Sequence, residues 1–157
     1  MEPKKLVDGE ALSLPPLQVI VSELAPRRIA LAKLDIRLLD SLKTLEEKLR
    51  EHLSTRVSVL IDAEEDWVES LTFGKWDSKW QFLLENGAAG EPDSWKTQPL
   101  VTASREKRVS VFTDGFIEKL VRAAVEQLDA QIAERENAIT IAGSLIGALE
   151  ADDDLPF

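Results

Sequence analysis

The chain has no cysteine, no tyrosine and a single histidine, His52, among its 157 residues. The absence of thiols rules out a disulfide framework, a thiol nucleophile and any thiolate ligand, and one imidazole gives no basis for a zinc site. Glycine and proline number seven each, too few for an all-β chain with many tight turns. Positive charge is also scarce. Lysine and arginine total 19 against 29 acidic residues, giving a net charge of −10. An acidic body repels a phosphate backbone, so broad non-specific nucleic-acid binding is disfavoured. No apolar run approaches a membrane span, and the opening Met1-Glu2-Pro3-Lys4-Lys5 lacks the apolar core of a signal peptide. The expected location is the cytoplasm. No glycine-rich phosphate loop, nucleophile elbow or paired metal-carboxylate motif is present, so the chain reads as non-enzymatic, with no metal or cofactor.

What the chain does have is enough apolar material, 44% against 31% charged, for one ordinary globular core. Residues 1–15 read as a flexible arm. Leu17, Val19 and Val21 follow the Pro15-Pro16 breaker and alternate, which suggests a short strand. From Pro26 the pattern turns helical. Leu31, Leu34, Leu38, Leu42, Leu45, Leu49 and Leu53 recur every three or four residues, with charged residues between them. Residues 56–62, RVSVLID, alternate and are β-branched, as a strand requires. Trp67, Phe73, Trp76, Trp80 and Phe82 then mark a β-hairpin over 67–75 and 79–85, turning at WDSK. Residues 87–99 read as a loop.

A second helical region begins near Thr102 or Ser104, is interrupted at Asp114-Gly115, and runs clearly from Phe116 to about Glu150. Its stripe is Ile117, Val121, Ala124, Leu128, Ile132, Ile139, Ala142, Leu145 and Leu149, with Arg135 where the stripe lapses. The fold class is therefore α+β, mainly helical. Two long amphipathic helices flank a Trp-rich hairpin in a single domain over 16–150, followed by a flexible acidic tail over 151–157. Such helices must bury their stripes on each other, on the hairpin or on a second copy, so a homodimer is one of the open arrangements.

Two basic-aromatic constellations stand out. Lys75, Trp76, Lys79 and Trp80 cluster at the hairpin end, where tryptophan stacking beside lysine would suit single-stranded nucleic acid. The competing reading is a hairpin that packs its aromatics on helices. Arg105, Lys107 and Arg108 form the densest basic segment, suited to phosphate or an acidic partner, or simply to a solvated helix start.

The last six residues, Asp152, Asp153, Asp154, Leu155, Pro156 and Phe157, carry the sharpest signal. An α-carboxylate on Phe157 would share its residue with a benzyl ring, so an apolar pocket beside an arginine could hold both. Pro156 limits the backbone freedom lost on docking, Leu155 adds an apolar contact, and the aspartates would meet a basic rim. This tip resembles the carboxy-terminal tail of bacterial single-stranded-DNA-binding proteins, which ends in several aspartates, an aliphatic residue and Pro-Phe. The resemblance implies recruitment by genome-maintenance proteins that recognise this tail, such as exonuclease I and replication or recombination helicases. It covers six to eight residues only. The family's DNA-binding part is an OB-fold, and the long helices here leave no room for five strands. A Gly/Gln/Pro-rich linker before the tip is also missing.

The leading expectation is thus a non-enzymatic adaptor that docks on DNA replication, recombination or repair proteins, by analogy an accessory protein of a phage or other mobile element. One rival is an acidic DNA-mimic inhibitor of a defence or DNA-processing enzyme, marked by a contiguous acidic face on the body. Another is a helical structural dimer unrelated to DNA.

Overall fold

The structure, a computed structural model, describes residues 16–153. The expected arm over 1–15 and the residues Asp154, Leu155, Pro156 and Phe157 lie outside that range. The fold is α+β, with helices at both ends of a four-stranded antiparallel sheet. The chain divides into two compact units, one ending at Leu45 and the other beginning at Glu46.

Helix α1 (Leu17–Ser22) leads through Glu23 into α2 (Leu24–Arg50), whose residues from Glu46 onward belong to the second unit. The strand expected from Leu17, Val19 and Val21 is a helix instead. Its first turn is closed by the Val19 and Ile20 amides, which donate to the Pro16 carbonyl at 3.0 and 3.2 Å. A six-residue segment with four apolar residues, LQVIVS, fits either period, and a helix satisfies its backbone without a neighbouring strand. Helix α2 begins two residues before Pro26, which sits in the first turn where its missing N–H costs nothing. The leucine stripe is not buried throughout. Leu31 and Leu34 are more than half exposed, Leu38, Leu45 and Leu49 are half-buried, and Leu42 is buried.

In the second unit the sheet is a meander, β1 (Val57–Glu64), β2 (Trp67–Trp76), β3 (Lys79–Ala88) and β4 (Lys96–Pro99), in that spatial order. The expected hairpin is therefore β2–β3 at the centre of a sheet. The 87–99 segment is not only loop: it holds a 3-10 turn (Pro92–Ser94) and the short edge strand β4. Lys-Thr-Gln-Pro carries too little hydrophobic pattern to be read as a strand, and pairing with β3 is what makes it one. The β2–β3 turn places Asp77 and Ser78 at φ 53° and 65°. Two successive positive φ values match the tight hairpin turn whose twist follows that of the strands. In β1 the pairing skips Ile61, a bulge between Leu60 and Asp62.

Alternation along the strands gives the sheet two different faces. One carries Val57, Leu71, Phe73, Phe82 and Leu84, all buried. Phe73 and Phe82 sit directly opposite each other, edge to face at 5.4 Å, and Trp80 stacks on Phe73 at 6.1 Å. Helix α3 (Arg105–Thr113) is capped by the Ser104 hydroxyl, which accepts from the Lys107 amide. Gly115, at φ 79°, breaks it from α4 (Phe116–Asp153). The first turns of α4 bury Ile117, Leu120 and Ala124, and α4 packs on β1 and β2. Full burial of each phenylalanine or leucine in this layer contributes roughly 1.5–3 kcal/mol. From Ile132 to Asp152 every residue of α4 is exposed. The helix also continues through Asp153, so the first residues assigned to a flexible tail are helical.

Candidate functional site

The two tryptophans of the hairpin end do not form one platform. Lys75 pairs with Trp80 and Trp76 pairs with Lys79 across β2 and β3, so Trp76 and Trp80 project from opposite faces. Trp80 is half-buried against Phe73, and only Trp76, 41% exposed, is open to a ligand. Lys75 and Lys79 are both exposed.

The Arg105–Lys107–Arg108 segment lies elsewhere. The Lys107 ammonium binds Glu69 Oε1 at 3.0 Å, six residues up β2 from Lys75 and so about 20 Å away along the strand. Arg108 donates to the Val101 and Ala103 carbonyls at 3.4 and 2.5 Å, securing the turn before α3. Lys107 and Arg108 are thus engaged in holding the body together, and they do not extend the hairpin lysines into one basic surface. His52 is exposed just beyond α2, as its place at the helix end suggests.

The opposite face of the sheet carries a polar recess that the sequence did not flag, lined by Arg56, Ser58, Ser70, Glu85 and Trp95. The Arg56 guanidinium binds Glu85 Oε1, which also accepts from the Thr72 hydroxyl at 2.7 Å. Thr72 has one hydroxyl proton, so at its 2.5 Å contact with Ser58 it accepts and Ser58 donates. Burial pushes the Glu85 carboxyl upward. The hydrogen bonds from Arg56, Thr72 and Thr97 and the Arg56 charge outweigh that, and hold it below the usual carboxylate value. Trp95 closes one side. Its indole N–H donates to the Ala88 carbonyl at 3.1 Å, and its ring lies over Gly87, where a Cβ would meet Trp95 Cγ at 2.6 Å. Chemically this is a satisfied ion pair with hydroxyl support: the base beside the Thr72 hydroxyl is the Glu85 carboxylate, which Arg56 already holds. Arg56 and Glu85 lie 29 residues apart, so only the alternation of Ser58, Ser70 and Thr72 with apolar residues could have hinted at a polar face.

Of the tail, Asp152 is exposed on the last turn of α4 and Asp153 is the final helical residue. The four residues that would anchor it, Asp154 to Phe157, are outside the described range. Among the described residues no group of three or more His, Asp or Glu side chains is placed to hold a metal ion, and no helix is long and apolar enough to cross a membrane. Comparison with protein-family models, with curated proteins and with solved structures finds no match to this chain.

Proposed function

We propose that this protein is a non-enzymatic adaptor of the cytoplasm that docks on genome-maintenance proteins through Asp152, Asp153, Asp154, Leu155, Pro156 and Phe157. The observation that carries the reading is the sequence DDDLPF itself, following a helix whose residues from Ile132 to Asp152 are all exposed. Phe157 supplies the anchor, a ring worth roughly 1.5–3 kcal/mol when buried. The aspartates steer the approach to a basic rim.

Calorimetry against exonuclease I tests this. Wild-type chain should bind. Removing Phe157 should abolish binding. Replacing Asp152 and Asp153 by Asn should slow association and flatten its salt dependence. Equal binding by wild type and the Phe157 deletion would remove the basis of the reading.

A further inference from the structure

The exposed part of α4 is apolar in a pattern that no surface helix needs. Val125, Ile132, Ile139 and Ile146 are spaced by sevens, and so are Leu128, Arg135, Ala142 and Leu149. Together they alternate in steps of three and four through four heptads, with β-branched residues at every a position and Leu at the first and last d. Val125, Ile132, Ile146 and Leu149 are each more than half exposed, and Ile139 is 72% exposed. The repeat extends through the part of α4 that has left the sheet, so the body does not use it.

We propose that α4 from Val125 to Leu149 pairs with the same segment of a second copy of this chain as a parallel, in-register, two-stranded coiled coil.

Four observations choose that occupant. First, a strict seven-residue repeat keeps its seam only against a helix of the same pitch. The α2 stripe does not match, because its step from Leu38 to Leu42 follows another step of four and breaks the heptad. Second, β-branched residues at a with Leu at d favour two parallel strands. Third, the charges agree. No charged residue occurs from Asn137 to Leu149, so nothing repels across the seam there. The polar interruption, Arg135 at a d position, meets Arg135 of the second copy in an in-register parallel pair, and the Glu136 carboxylates at the flanking e positions offset those two charges. An antiparallel pair would set Arg135 against an isoleucine a position instead. Fourth, the area suffices. Twenty-five residues span about 37 Å, and one third of an accessible cylinder about 14 Å across gives on the order of 1,100 Å² for the pair. That clears the ~1,000 Å² expected of a specific interface.

The pairing stands independently of the tail. If the tail docks as proposed above, a parallel coil brings two tails to one end, where they would engage a two-site partner with avidity.

Light scattering on the full chain at tens of micromolar tests the proposal. The expected mass is twice the 17.5 kDa of one chain. Ile139→Glu changes only an exposed side chain of the single chain, so the sheet should stay folded by tryptophan fluorescence while association weakens on the order of 100-fold. Because the chain has no cysteine, Leu149→Cys introduces a lone thiol. In a parallel in-register pair the two thiols face each other and should oxidise to a covalent dimer. A monomeric wild type, a mass of three or more chains, a dimer unaffected by Ile139→Glu, or a dimer that Leu149→Cys fails to cross-link would each overturn it.

Discussion

Glu85 shows how one side chain joins three strands. Its carboxylate takes Arg56 from the approach to β1 and Thr72 from β2, while Thr97 on β4 also hydrogen-bonds it. These bonds favour the ionised form, so its pKa in the folded protein is lower than in the unfolded chain. The sign then follows from linkage: its stabilisation is complete above the ordinary value of 4.5 and is lost as pH falls through the depressed value. Glu85→Gln should therefore lower the melting temperature most above pH 5, and the gap from wild type should close below pH 4.5. A gap that stays constant across that range would mean the carboxylate charge contributes nothing.

At the scale of elements, α2 finishes a job that β4 leaves undone. Strand β4 pairs with β3 only from Leu83 to Asn86, so Trp80 and Phe82 present backbone groups on an uncovered edge. Two residues of α2 one turn apart meet them. The Phe82 amide donates to Glu46 Oε2 at 2.8 Å, and Arg50 Nε donates to the Trp80 carbonyl at 2.6 Å. A helix thereby closes a strand edge that would otherwise be open to another chain. Glu46→Ala should strand a buried amide and cost about 1–3 kcal/mol in denaturant unfolding. Glu46→Gln keeps an acceptor oxygen in place and should cost less. If both variants lose the same stability, the edge contact is not what Glu46 supplies.

Over the whole molecule, stability is unevenly distributed. The β2–β3 pair carries Leu71, Phe73, Phe82, Leu83 and Leu84 in the core, whereas α4 beyond Ile132 is fully exposed. A single helix of that length without packing is marginal in water. Hydrogen exchange on Ile139→Glu should thus find β2 and β3 protected and residues 134–150 exchanging quickly. In the wild-type chain, protection of 134–150 should rise with protein concentration. Strong protection of that stretch in Ile139→Glu would show that the helix holds itself, and the need for a partner would disappear.

Local pattern alone determined a good part of this protein. The leucine spacing, the β-branched run after Arg56, the aromatic hairpin and the break at Asp114-Gly115 all lie within a few residues of the elements they predict, because helix and strand periods are written into consecutive side chains. What only tertiary structure decided depends on residues far apart. Lys96–Pro99 is a strand because β3 lies beside it. Trp76 and Trp80 look like neighbours in sequence, but register sends them to opposite faces and dissolves the stacking pair. The basic segment is taken up by Glu69 and by carbonyls before α3. The Arg56–Glu85 recess and the Glu46 edge contact join residues 29 and 36 apart. Burial separated the two halves of the α4 stripe, which look alike in sequence: the sheet covers Ile117, Leu120 and Ala124 and stops short of Ile132, and an apolar side chain shows its purpose only once it is known what lies against it.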